Sequence, residues 1–175
     1  VSGLDMSRLV LTAQTHTRNV IAVTASDCGR GLFRDGFSDV DGLVTNEKNV
    51  FLAAFFADCV PVFLLDPVKG VCGVVHSGWR GTAARIAENA ISVMTCEYGC
   101  HAGDILAAIG PSVCARHYEV SDEVANIIAK GSRCPEAALY VDGHRHADLW
   151  EANRAVLTQC GISPDNIAMS GECTV

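Results

Sequence analysis

Cys59 and His76 bracket the part of the chain richest in potential chemistry, Ala57–Gly81 (ADCVPVFLLDPVKGVCGVVHSGWRG). One apolar run follows the cysteine and another precedes the histidine, with the turn signals Asp66-Pro67 and Lys69-Gly70 between them. If Val60–Leu65 runs out and Val71–Val75 runs back, the ladder delivers both side chains to the same end. A thiolate beside an imidazole can ligate a metal or act as nucleophile and base. Ordinary packing of a cysteine and a histidine accounts for the spacing equally well. The neighbours favour a site. Asp58 adjoins the cysteine, as a weaker candidate for proton transfer or for orienting a ligand. Gly78 and Gly81 let a backbone approach closely, and Arg80 carries the planar fork that grips carboxylate or phosphate. A helix expected from about Thr82 would aim its N-terminus at the same place. The plainer alternative is that Trp79 and Arg80 only stack as a cap on the core.

These residues need elements to hold them. Short apolar runs predict strands at Leu9–Thr12, Val20–Thr24, Gly42–Thr45, Val50–Ala57, Val60–Leu65 and Val71–Val75. A glycine-rich stretch, GRGLFRDGFSDVDG, separates the second from the third and reads as a mobile loop. After Gly81, residues Ala83, Ile86, Ala87, Ala90, Ile91 and Met94 form one helical stripe that ends near Tyr98-Gly99. Ile105–Ile109 predicts a buried strand. Ser121 is the expected N-cap of a second helix containing Val124, Ile127 and Ile128. Asp148 and Glu151 have capping-box spacing at the head of a third, which buries Leu149, Ala152, Val156 and Leu157 and stops at Gly161. Ile167–Met169 closes the chain as a strand. With no repeat, linker or regular βαβ rhythm, the expectation is an α+β fold in a single domain over residues 1–175.

The composition limits the function classes. With 175 residues, 49% hydrophobic and 19% charged, the chain is globular and long enough for a core. Its 13 basic and 20 acidic residues give a net charge of -7, which argues against nucleic acid as a partner. The longest apolar stretch, Val50–Leu65, is broken by Asp58 and Pro61 and falls short of the ~20 residues of a membrane helix. Nine cysteines, an odd number without a recurring close pair, fit reduced thiols in a cytoplasmic protein better than a disulfide scaffold. The start, VSGLDMSRLVLTAQ, lacks the pattern of a signal peptide.

Several blocks together resemble the YfiH/YlmD-type family, known as polyphenol oxidase or laccase-like proteins and as purine nucleoside phosphorylases. They are Gln14-Thr15-His16, Asp41-Gly42-Leu43-Val44-Thr45, Ala57-Asp58-Cys59-Val60-Pro61-Val62, His76-Ser77-Gly78-Trp79-Arg80-Gly81, Ile109-Gly110-Pro111, Tyr118-Glu119-Val120 and Gly171-Glu172-Cys173-Thr174. The resemblance runs from about Leu9 to Val175. It implies a layered α/β/β/α arrangement with a mixed sheet. It also implies one zinc ion held by His16, Cys59 and His76, a set that leaves a fourth position open as catalytic zinc sites do. His16 is singled out by this resemblance alone. Three positions depart from the usual family pattern: Thr17 where glycine is common, Phe56 where threonine is, and Ser77 where alanine is. Family members also carry an N-terminal portion and a short C-terminal tail beyond what this sequence spans.

The function implied is phosphorolysis of adenosine or inosine to free base and ribose 1-phosphate, with adenosine deamination as a possible second activity. The substrates are then a purine nucleoside and phosphate, with Arg80 as anion clamp. The zinc-deaminase signature H-x-E…P-C-x-x-C is absent, so deamination would use another scaffold. An alternative is a cysteine-dependent amide hydrolase editing peptidoglycan precursors, with Cys59 attacking and His76 as base. Copper is an alternative metal for a two-histidine, one-cysteine set. The chain's six histidines are too few for the several coppers of a true polyphenol oxidase. A purely structural zinc module needs a fourth protein ligand. Cys100-His101 and Cys114 with His117 have metal-compatible spacing but are close pairs that arise easily by chance. His144 and His146 read as surface or substrate-loop residues.

Overall fold

The computed structural model describes Gly3 and residues 5–175. Its elements in chain order are β1 (Leu9–Leu11), β2 (Val20–Ala22), β3 (Gly42–Thr45), β4 (Phe51–Ala53), β5 (Val60–Asp66), β6 (Val71–Ser77), α1 (Trp79–Ala83) and α2 (Ile86–Tyr98). They continue with β7 (Leu106–Ile109), α3 (Asp122–Ser132), β8 (Ala138–Val141), β9 (His144–Ala147), α4 (Leu149–Gln159) and β10 (Ile167–Met169). Six strands form a mixed sheet in the order β10-β7-β5-β6-β3-β2, and β1–β4 and β8–β9 make two-stranded sheets. The α+β expectation holds.

Strand alternation decides which face meets which layer. Val44, Val62, Leu64 and Val75 point into one core with Ile86, Ala90, Met94, Ile128, Leu149, Val156 and Leu157 from the helices. Leu43 and Val74, one residue out of phase, meet Val10, Val23, Val40 and Val50 in a second core under the β1–β4 ribbon. The expected hairpin is present. β5 and β6 are antiparallel from Val60 opposite Ser77 to Asp66 opposite Val71. Asp66 closes its turn by accepting the amides of Val68 at 2.8 Å and Lys69 at 2.9 Å.

The glycine-rich stretch is pinned at several points. Leu11 N donates to Arg30 O, Gly29 N to Leu9 O, and the Arg34 guanidinium to the carbonyls of Ser26 and Cys28.

The expected first helix is two helices. The chain turns helical at Trp79, not near Thr82, and breaks at Arg85, whose backbone is left-handed (φ 60). The apolar stripe cannot reveal this break, because tertiary contacts make it. The buried Arg85 guanidinium reaches Gln159 Oε1 at 2.8 Å, Ser132 O at 3.2 Å and Glu88 Oε2 at 2.7 Å. α3 presses in at Gly131, where a Cβ would lie 2.1 Å from the Ala83 carbonyl oxygen, so only glycine fits.

Ser121 caps α3 as expected, its Oγ accepting Val124 N, whereas the capping box of α4 is half formed: Asp148 Oδ1 accepts Glu151 N, but the Glu151 carboxylate turns to Arg154 Nε at 2.7 Å. Ile127 of α3 lies outward at 42% exposure. His144 and His146, whose alternation fits a strand or a loop, lie on β9, and β9 pairs with β8 through a hairpin turn at Asp142-Gly143, both at positive φ.

Candidate metal centre

The β5–β6 ladder places Cys59, the residue before Val60, across from Gly78, and His76 two positions further in, opposite Pro61. β3 pairs with β6 on the other side, so Asp41 precedes the register Gly42–Val75 and its carbonyl accepts His76 N at 2.7 Å. Three segments thus converge at one end of the sheet. The third, Gln14–Thr17, follows β1 and is tied down by Asp41.

Asp41 is the organising residue. Its side chain is fully buried. Oδ1 takes the His16 amide at 3.1 Å, and Oδ2 takes the Thr15 amide at 3.2 Å, the Thr17 amide at 2.8 Å and the Thr17 hydroxyl at 2.7 Å. Oδ1 also meets His76 Nδ1 at 2.8 Å. Burial alone would raise the pKa of this carboxyl, but the bonds from Thr17, His76 and Thr15 outweigh it and hold the group below the usual carboxylate range. An ionised Asp41 can only accept, so Nδ1 of His76 carries the proton and Nε2 is left for the site. Thr17, one of the departures from the family pattern, is therefore part of this clamp.

His16 has a left-handed backbone (φ 63), and its Nε2 stands 3.9 Å from Cys59 Sγ. The His16 and His76 rings meet edge-on at 5.0 Å between centroids, and Phe56 packs against His76 at 5.7 Å. One donor atom from each of His16, Cys59 and His76 lies within 4.8 Å of the other two. Tetrahedral zinc with bonds of ~2.0–2.3 Å separates its nitrogen and sulfur ligands by about 3.5 Å, so this donor set fits such an ion after a small inward shift. Gly78 makes the approach possible: a Cβ there would sit 2.9 Å from His16 Cδ2 and 3.0 Å from Cys59 Sγ. Burial, with the negative charges of Asp58 and Asp41, pushes the Cys59 thiol up. Without a cation the sulfur is therefore a neutral thiol.

A narrow cavity of about 100 Å³ opens beside the sulfur, lined by His16, Asp58, Cys59, Trp79, Arg80, Val113, Tyr118 and Leu149. Asp58 is held there by Thr174, whose hydroxyl donates to Oδ1 at 2.7 Å, while its carbonyl takes Val113 N. Arg80 lies over the Trp79 ring at 4.2 Å, so the stacking alternative is realised. The guanidinium is exposed and lines the cavity, with no hydrogen bond or ion pair to another described residue. α1 has only five residues, so the helix end expected near Thr82 is not the head of a long helix. Tyr118 faces the same space, its hydroxyl pushed up by burial and by Cys59, with Arg80 opposing. Behind the site, Ser77 Oγ bonds Asn153 Oδ1 at 2.8 Å and Thr82 Oγ1 at 2.9 Å, a buried network that the usual alanine would not make.

The other candidates separate. His101 accepts its own Gly103 amide, and Cys100 lies in the core. His146 is buried and bonds Ala115 O at 2.8 Å, so it is not a surface residue; His144 is exposed beside Glu119. Cys114 and His117 meet Cys173 from the far end of the sequence. Sequence reasoning missed two residues that act here, Asp41 as clamp and Tyr118 as wall. Both stand inside quoted family blocks, and an acid wedged between Val40 and the apolar run Leu43-Val44 is itself a signal.

No helix among the described residues is long and apolar enough to cross a membrane. The nine cysteines are all free.

The family model described as multi-copper polyphenol oxidoreductase laccase matches residues 1–175. Purine nucleoside phosphorylase YlmD of Bacillus subtilis (strain 168) is 38% identical over 174 residues, covering 97% of this chain and 63% of the relative. Adenosine deaminase RL5 from an unknown prokaryotic organism is 36% identical over 184 residues, covering 98% and 67%. Among solved structures, Bacillus licheniformis hypothetical protein YfiH superposes with a TM-score of 0.91 at 34% identity, covering 98% of this chain and 66% of that one. YlmD from Geobacillus stearothermophilus gives 0.89 at 35% identity, with 98% and 65% covered. The chain spans about two thirds of the length of these relatives.

Proposed function

The chain belongs to the multi-copper polyphenol oxidoreductase laccase family, the YfiH/YlmD type, and from that premise we propose that it serves a zinc-dependent purine nucleoside phosphorylase. The observation that carries this reading is the convergence of His16, Cys59 and His76 on one point, with Asp41 fixing the imidazole of His76. Two nitrogens and one sulfur, with a cavity on the open side, suit zinc better than the hard cations. A bound zinc ion would supply Lewis acidity toward the substrate beside Cys59.

The chain's own groups supply the rest. Glycosidic cleavage builds positive charge on the ribose while phosphate attacks, so the reaction needs an anion held close and in line. Arg80, steered by its stack on Trp79 and without a carboxylate partner, binds phosphate with its free fork. Asp58, held by Thr174 at the rim, orients the bound substrate or takes up a proton. The cavity of about 100 Å³ is smaller than the ~300 Å³ at the low end of ligand pockets. It takes the reacting end of a nucleoside, and the remainder of the substrate lies outside it. Adenosine deamination, the activity named for one relative, is proposed as a side reaction of the same centre.

The test is chromatography of inosine and adenosine incubated with the protein, with and without phosphate, before and after chelation. The expected result is phosphate-dependent release of free base that is lost on chelation and restored by zinc. Deamination without phosphate would shift the assignment to hydrolysis. If Cys59 were instead an attacking thiolate, chelation would raise activity on an amide substrate. No turnover of either nucleoside by folded, zinc-loaded protein would overturn the nucleoside reading.

A further inference from the structure

We propose that Cys114, His117 and Cys173 form a second metal site, which takes one zinc-class divalent ion and fastens the Cys173 segment to the loop walling the first cavity. The three donor atoms lie within 4.8 Å of one another. His117 Nδ1 is 3.3 Å from Cys173 Sγ and 3.5 Å from Cys114 Sγ. Around a tetrahedral zinc ion, nitrogen and sulfur ligands stand about 3.5 Å apart, so these atoms already match the edges of the coordination polyhedron. Two sulfurs and an imidazole select zinc-like ions over calcium or magnesium.

The backbone is arranged to hold this set. Cys114 and His117 face the same way because a turn joins them, with His117 N donating to Cys114 O at 3.1 Å. Cys173 arrives beside them through its bridge to Ser112, with Ser112 N to Glu172 O at 3.2 Å and Thr174 N to Ser112 O at 3.3 Å. Ser112 is buried and fixed by the Trp150 indole N–H at 2.6 Å. The Cys114 amide donates to Cys173 Sγ at 3.3 Å, which supports negative charge on that sulfur. His117 is exposed and both cysteines are partly so, leaving an ion room to enter and to keep a water in its fourth position.

The site borders the first without sharing a ligand. Val113, next to Cys114, and Tyr118, next to His117, both line the cavity beside Cys59. Thr174, next to Cys173, holds Asp58. An ion here therefore fixes three pieces of the first site's wall.

The test titrates reduced, metal-free protein with Co²⁺ under argon, following the near-ultraviolet charge-transfer absorption of cobalt–thiolate bonds, with zinc content measured in parallel. The expected stoichiometry is two equivalents in the parent, one in C114S/C173S and one in C59S. The exposed His117→Ala, which removes a direct ligand, should weaken only the second equivalent, by more than the roughly 10- to 100-fold that loss of a merely orienting partner costs. Retention of the C114-dependent equivalent in C59S separates this proposal from the fate of the first site. A single equivalent in the parent that C114S/C173S leaves unchanged would overturn it. So would a Cys114–Cys173 disulfide that re-forms after reduction in place of metal uptake.

Discussion

His76 reaches the first cluster from the end of a central strand, with a buried carboxylate on its other ring nitrogen. His117 reaches the second from a turn, with both sulfurs facing one nitrogen and no described partner on the other. Cys59 is partly buried beside negative charge, and its thiol is pushed up. Cys173 is drawn the opposite way, to about 6, by the His117 ring and by the amides of Val175 and Cys114. The same two residue types thus make a preorganised, electrostatically loaded centre in one place and a reactive, loop-borne one in the other. Preorganisation comes from what stands behind the ligands.

The largest contrast is expected at Asp41. Asp41→Ala strips the acceptor from five groups, one of them a buried imidazole, and should cost about 3–5 kcal/mol in urea unfolding. His117→Ala in metal-free protein should change stability by less than about 0.5 kcal/mol. Equal costs would dissolve the distinction between the two centres. The milder Asp41→Asn should weaken the first metal by roughly 10- to 100-fold and leave the second unaffected.

Gly78→Ala comes next. The added methyl meets His16 and Cys59 together, with an expected cost of about 1–3 kcal/mol and a looser first ion. Cobalt stoichiometry at the Cys114 cluster should stay the same. A Gly78→Ala protein that binds the first ion as tightly as the parent would show that the glycine does not set the ligand spacing.

The smallest effect is kinetic. In metal-free protein at pH 7, Cys173 is expected to alkylate about tenfold faster than Cys59, because thiolate fraction outweighs the lower nucleophilicity of a more acidic thiol. The sign follows from the direction of each shift. Cys173 is thiolate above about 6, so its rate should fall as pH drops through that value. Cys59 should gain rate only in strongly alkaline solution. Peptide mapping of iodoacetamide-treated protein reads both, and faster labelling of Cys59 at pH 7 would reverse the comparison.

The two centres were unequally legible in the sequence. Cys59 and His76 could be placed together because a hairpin has one geometry and its turn residues stand in plain view. His16 could not, since a left-handed loop residue has no periodic signature, and only the family blocks pointed to it. Asp41 was visible as the first residue of a strand block, but its partners lie in two distant segments. Cys114 and His117 could be seen as a close pair. Cys173 joins them through a single bridge at Ser112, which no local pattern encodes. The break at Arg85 escaped for the same reason, because a buried guanidinium and the tight contact at Gly131 create it.

Asp41 also fixes when the first centre can exist. It bonds a loop 25 residues before it and a ring 35 residues after it, and the ring is in place only once β3 has found β6. Such pairing between distant segments closes slowly during folding compared with helices and turns. If His16, Cys59 and His76 hold an ion as proposed, its capture is expected late, and in a refolding experiment it would work as a clock for assembly of the central sheet.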